Sequence, residues 1–149
     1  MRGVWIFALA LAGAAAAEPR FAVETVPLEP SSPVLSGPFI ALVWKSDCGP
    51  CLTELGYLAA LQAASGGRLV TVSLDPPDLA RATLAEREVP THAAYAATGD
   101  ARAILTSLSG DKAQLPLSVA VSPSGEICAS HTGLLGTDRA RAWAETCSK

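Results

Sequence analysis

The chain has 149 residues, half of them apolar and 17% charged, with a formal net charge of −3. That composition supports one hydrophobic core and excludes a wholly disordered chain, and the length leaves no room for a second enzymatic domain. Eleven basic residues against 14 acidic ones, with no clustered basic face in the sequence, also exclude the footprint of a nucleic-acid binder.

Residues 1–17 read as a cleavable signal peptide. Arg2 supplies a positive start, Val4 to Ala12 an unbroken apolar run, and Ala15-Ala16-Ala17 the small residues suited to cleavage near Ala17. An uncleaved anchor is the alternative, but Gly3 to Ala17 falls short of the roughly 20 residues that span a bilayer. Export places the mature chain in an oxidising compartment, where its four cysteines can form disulfides.

Residues 18–38 hold five prolines and read as an extended lead-in with at most one short strand, around Phe21 to Val26. The domain proper is expected over residues 39–149. Phe39 to Trp44 is a continuous apolar run, as expected for a strand buried on both faces. From Cys51, the residues Leu52, Leu55, Leu58 and Leu61 recur at helical spacing, and Ser65-Gly66-Gly67 stops that helix. Arg68 to Leu74 reads as a second buried strand, and Asp75-Pro76-Pro77-Asp78 as a turn into a helix reaching about Arg87. This order predicts a parallel βαβ unit with a right-handed crossover.

Glu88 to Gln114 carries weaker signals: a connector at Pro90-Thr91-His92 and a short helix from Ala101 to Leu108 closed by Gly110. Leu117 to Val121 and Glu126 to Ser130 flank the turn-rich Ser122-Pro123-Ser124-Gly125, which predicts an antiparallel hairpin. A last helix starts at Gly136-Thr137-Asp138 and ends near Cys147.

Cys48-Gly49-Pro50-Cys51 lies where a buried strand hands over to a helix. At the helix amino terminus the Cys48 sulfur meets unpaired N–H groups that favour thiolate over thiol. Cys51, one turn further in, is expected to be more buried and to resolve a mixed disulfide after Cys48 has attacked. Pro50 keeps the loop rigid. Four cysteines allow three pairings, of which Cys48–Cys51 with Cys128–Cys147 is favoured because a Cys-X-X-Cys pair closing on itself is a recognisable redox unit. Half of a zinc site and a purely structural short disulfide are the other readings. His92 and His131 are isolated in sequence, however, and so short a loop contributes little chain-entropy stabilisation. No metal and no cofactor beyond the redox disulfide itself is expected.

The order strand, Cys-Gly-Pro-Cys, helix, strand, helix, then Leu115-Pro116 before a hairpin and a final helix, resembles the thioredoxin fold. More narrowly it resembles the exported TlpA/ResA-type thiol-disulfide oxidoreductases, with Cys48, Cys51, Glu54, Pro116, Gly125, Ile127, His131 and Gly133 at the matching positions. The resemblance implies an α/β fold with a central mixed β-sheet flanked by helices. Together with the leader it points to a periplasmic enzyme that acts on protein cysteines and exchanges electrons with a membrane partner protein, and a monomer is expected. Reduction is the implied direction, with cytochrome c maturation one specific outlet.

It also implies that Pro116 is a cis-proline facing the cysteine pair, that the backbone of Leu115 pairs with the substrate chain alongside Gly49 and Pro50, and that Glu54 tunes the thiols. Helical spacing independently turns Glu54, three residues after Cys51, back toward the first turn. The chain departs from thioredoxins in placing Asp47 before the first cysteine, where they carry Trp, and Leu42 six residues before it, where they carry a buried Asp.

Cys128 and Cys147 are expected to form a structural disulfide fastening the last helix, with a second redox pair as the rival reading. Two other functions stay open at this stage. One is a redox-inert thioredoxin-like binding or assembly module whose disulfides only stabilise it. The other is a copper-handling protein, for which a mature chain without Met is poor in soft ligands.

Overall fold

Phe39–Trp44 has no charged side chain, and it forms the strand against which both faces of the domain pack. The structure is a computed structural model that describes Gly13, residues 19–110 and residues 113–149. Apart from Gly13, the leader expected over residues 1–17 lies outside the described residues. In chain order the elements are β1 (Thr25–Pro27), β2 (Phe39–Trp44), α1 (Gly49–Leu55), α2 (Leu58–Ala64), β3 (Leu69–Ser73) and α3 (Pro77–Glu86). They continue with β4 (Ala94–Ala97), α4 (Ala101–Ser109), β5 (Leu117–Val121), β6 (Ile127–Thr132) and α5 (Thr137–Thr146).

The strands form one mixed sheet in the order β1-β4-β3-β2-β5-β6. β2, β3 and β4 run parallel, β5 is antiparallel to both β2 and β6, and β1 is antiparallel to β4. This is the expected α/β architecture of a mixed sheet flanked by helices. Because side chains alternate across a strand, Ile40, Leu42 and Trp44 enter one layer with Cys51, Leu55, Leu61, Leu84 and Ala140. Phe39, Ala41 and Val43 enter the other, with Ile104, Leu105 and Leu108 of α4. Helices α1, α2, α3 and α5 therefore share one face of β2, and α4 covers the opposite one.

Three expectations are corrected. The helix read from Cys51 through Leu61 is two helices. Gly56, which lacks helix propensity, receives the chain in i→i−3 bonds: Gly56 N–H donates to Thr53 O (3.1 Å) and Tyr57 N–H to Glu54 O (2.9 Å) before α2 begins. The lead-in strand read at Phe21 to Val26 is Thr25–Pro27, displaced because Arg20 instead bridges Glu126 at the far edge of the sheet. The stretch from Glu88 to Gln114 also contains β4, Ala94-Tyr95-Ala96-Ala97, which sits between β1 and β3. Alanine carries little strand preference, and these neighbours supply what local sequence does not.

The lead-in packs onto the domain. Leu28 is buried in the layer of β2, and the Phe21 ring meets Phe39 edge-on, with centroids 5.1 Å apart. At the other end, Gly125 adopts φ 86° in the β5–β6 turn, the left-handed conformation that favours glycine, and its N–H donates to Ser122 O at 3.0 Å.

Leu42 is fully buried in the central strand. Leu42→Ala is expected to lower the unfolding free energy in urea by about 2–5 kcal/mol. A loss under about 1 kcal/mol would show that this layer closes over the cavity.

Candidate active site

β2 stops at Trp44, and a turn over Lys45–Asp47 leads into α1. Cys48 N–H donates to Lys45 O (3.2 Å), and Cys48 takes the extended conformation of a helix N-cap, φ −105° and ψ 100°. Its Sγ accepts the Cys51 N–H at 3.2 Å. Sulfur thus takes the place that a Ser or Asp oxygen fills at other helix starts, where unpaired N–H groups and the helix dipole favour negative charge. Pro50 fits in the first turn because its missing N–H has no partner to lose there.

Cys48 and Cys51 are joined in a disulfide with Cα atoms 5.2 Å apart. Cys51 is fully buried, whereas Cys48 is half-buried beside exposed Gly49 and Pro50. Cys48 is therefore the more accessible cysteine of the pair. Lys45 Nζ and Asp47 Oδ2 pair with each other at 3.7 Å, so the acidic residue that replaces Trp before the first cysteine has its own counter-charge.

Glu54 projects from the last turn of α1 and is 2% exposed. Its Oε2 accepts the Leu135 N–H at 2.7 Å, tying α1 to the segment that opens α5, while Oε1 has no hydrogen-bond partner. Burial raises its pKa above the ordinary glutamate value, and the bond from Leu135 offsets this only in part. Glu54 also floors a cavity of about 190 Å³ between α1, α2 and the start of α5, lined by Tyr57, Ala60, Leu61 and Leu134.

The Leu115–Pro116 peptide is cis. β5 pairs with β2 through Val43 and Leu117, so one further antiparallel step brings Pro116 level with Trp44, where the turn to Cys48 begins. Pro116 is buried, its carbonyl accepts the Gly133 N–H at 2.8 Å, and Leu115 is half-buried beside it. His131 lies on β6 in register with Ser118 and is half-buried.

Cys128 and Cys147 form the second disulfide, with Cα atoms 6.1 Å apart. Cys128 is exposed on β6, and Cys147 is buried at the carboxyl end of α5. Among the described residues no helix is long and apolar enough to cross a membrane.

The sequence reading missed Asp75, which it took only as part of a turn. The residue is buried, and its Oδ2 accepts the Ser46 N–H at 2.7 Å, two residues before Cys48. An acid at the carboxyl end of a strand parallel and adjacent to the cysteine-bearing strand is the signal that could have found it.

No protein-family model and no curated protein matches the chain. Solved structures do. A thioredoxin-related protein from Neisseria meningitidis serogroup B is 21% identical with a TM-score of 0.65, over 83% of this chain and 98% of that one. StoA from Bacillus subtilis is 20% identical with a TM-score of 0.53, over 70% and 80%. A thiol:disulfide interchange protein of the thioredoxin family from Chlorobium tepidum TLS is 14% identical with a TM-score of 0.54, over 73% and 78%. The fold of this chain is the thioredoxin fold.

Two outcomes follow from this geometry. A carboxyl whose folded pKa is raised binds more protons folded than unfolded, so its contribution is complete at low pH and is lost as pH rises through the raised value. Glu54→Gln retains an acceptor for Leu135 N–H without the buried charge. In urea titrations from pH 4 to 8, the stability of wild type relative to this variant is therefore expected to fall as pH rises, and a flat difference contradicts the raised pKa. For the second disulfide, replacing Cys128 and Cys147 together by Ser should cost about 3 kcal/mol for a 19-residue separation. It should also leave exchange at Cys48 intact, as followed by thiol trapping and mass spectrometry.

Proposed function

We propose that this protein is a periplasmic thiol-disulfide oxidoreductase that reduces disulfides in protein substrates through Cys48 and Cys51. The observation that carries the reading is an accessible sulfur at a helix amino terminus, bonded to a fully buried sulfur one turn on. The fold, shared with solved proteins described as thiol:disulfide interchange proteins, supports it.

In the reducing direction the Cys48 thiolate attacks one sulfur of a substrate disulfide, forms a mixed disulfide and expels the other substrate sulfur as thiolate. Cys51 loses its proton and attacks Cys48 Sγ. The Cys48–substrate bond breaks, the second substrate thiolate leaves, and the Cys48–Cys51 disulfide forms with two electrons passed to the substrate. Glu54, on the Cys51 side of α1, serves as the proton carrier for the buried thiol. Burial raises its pKa, so it holds a proton to higher pH than an ordinary glutamate does, as a carboxyl that passes a proton to and from a thiol requires.

The cis Leu115–Pro116 peptide beside the end of β2 orients the incoming chain, with the Leu115 backbone, Gly49 and Pro50 as its contact surface. A dithiol on a membrane partner restores the reduced state. The disulfide of an oxidised apocytochrome c is one substrate of the right chemistry, and its two thiols would be the product. Cys128–Cys147 acts as a structural staple and does not turn over.

The reading is tested by reduction of insulin disulfides with dithiothreitol as donor. Cys48→Ser should abolish the acceleration over dithiothreitol alone. Cys51→Ser should accumulate a covalent complex through Cys48, visible on a non-reducing gel and released by reductant. Full acceleration by Cys48→Ser would sink the reading in favour of a binding module. Equilibration with glutathione buffers sets the direction: a couple near about −270 mV supports a reductase, and one near about −120 mV a disulfide donor.

A further inference from the structure

β3 ends beside the end of β2, in the parallel register of Ser73 with Trp44, and Leu74 N–H donates to Trp44 O at 2.9 Å. One residue later the chain turns a carboxyl inward. Asp75 is 6% exposed, its N–H donates to Ser73 Oγ at 3.0 Å, and its Oδ2 takes the Ser46 N–H at 2.7 Å. Ser46 belongs to the turn that carries Cys48. The two charges on that turn, Lys45 and Asp47, pair with each other and are more exposed than Asp75. Burying an acid is a costly way to close a turn, and what it adds here is a fixed link from the rigid sheet to the backbone just before the first cysteine.

We infer that Asp75 is the positioning residue of Cys48: through Ser46 it keeps the Cys48 sulfur at the amino end of α1, facing Cys51, whenever the bond between the two sulfurs is open. The inference rests on the dithiol reading above. In the disulfide, the sulfur–sulfur bond itself fixes Cys48. Once Cys48 Sγ is bonded to a partner, only the backbone fixes it, and the rate of displacement by Cys51 follows the effective concentration of one sulfur at the other. In that step the Cys51 thiolate bonds to Cys48 Sγ, the bond to the partner breaks, and the partner departs as thiolate, with no other reactant.

The probe is oxidised glutathione. Reduced protein is mixed with it and quenched in acid at intervals, and the fraction carrying glutathione on Cys48 is read by mass spectrometry. Asp75→Ala should lengthen the life of the mixed disulfide by roughly three- to tenfold, the factor carried by one lost hydrogen bond. Asp75→Asn, whose Oδ1 still accepts from Ser46, should remain within about twofold of wild type. If the alanine variant does not fold, Asp75→Ser keeps a polar group at this position but is too short to reach Ser46, and it should show the same lengthening. A wild-type lifetime in a folded Ala or Ser variant overturns the assignment, as does an equal lengthening in Asp75→Asn. A wild-type chain that never forms and resolves the mixed disulfide overturns the dithiol reading instead.

Discussion

β2 is hydrogen-bonded on both edges, to β3 on one side and β5 on the other, so the place where it ends is set by the whole sheet rather than by the turn that follows. Cys48 is four residues beyond that end. Each component of the candidate site is referred to the same point: the turn through Asp75 at the end of β3, the cis Leu115–Pro116 peptide through the start of β5, and α1 through the N-cap itself. A sulfur held this way faces unpaired N–H groups without the entropy loss that a flexible loop would incur on each encounter. Apolar packing of β2 in two layers is thus the condition for the chemistry proposed at its tip.

Helix α5 is fastened at both ends. At its start Glu54 Oε2 holds Leu135 N–H. Near its finish Arg68 Nη1 donates to Ala144 O at 3.2 Å, and Cys147 is bonded to Cys128 on β6. Between these points α5 packs on α2 and β2. The Glu54 link is the costly one, since the carboxyl is desolvated and one oxygen has no partner. A buried acid that only joined two segments would be better replaced by an apolar contact. In the proposed reaction this acid carries the proton that the buried thiol releases and recovers.

The parts of this arrangement that were legible in the sequence are those written in local chemistry. The run Phe39–Trp44 could be read because a strand buried on both faces is continuously apolar and carries no charge. The Cys48–Cys51 unit could be read because strand, cysteine and helix follow one another without a gap, and the hairpin because Gly125 marks its turn. What escaped depended on partners distant in sequence. Ala94-Tyr95-Ala96-Ala97 becomes a strand only between β1 and β3. The break at Gly56 was masked by leucines that kept helical spacing across it. Asp75 looked like one more turn residue because its partner, Ser46, lies 29 residues away.

The two disulfides sit at opposite ends of helices, and that polarity separates their chemistry. Reduction leaves a thiolate wherever the environment stabilises one. Cys48 is an N-cap, where N–H groups and the positive end of the helix dipole receive the charge. Cys147 is a C-cap, where carbonyl oxygens and the negative end oppose it, and burial opposes it further. A reductant attacking exposed Cys128 must expel sulfur from Cys147, a poor leaving group in that position. The same polarity acts in the proposed reaction whenever Cys48 itself is released from a mixed disulfide, because the helix terminus receives the charge of the departing thiolate. In the proposed function the Cys128–Cys147 bond then stays oxidised while the dithiol at the tip of β2 cycles.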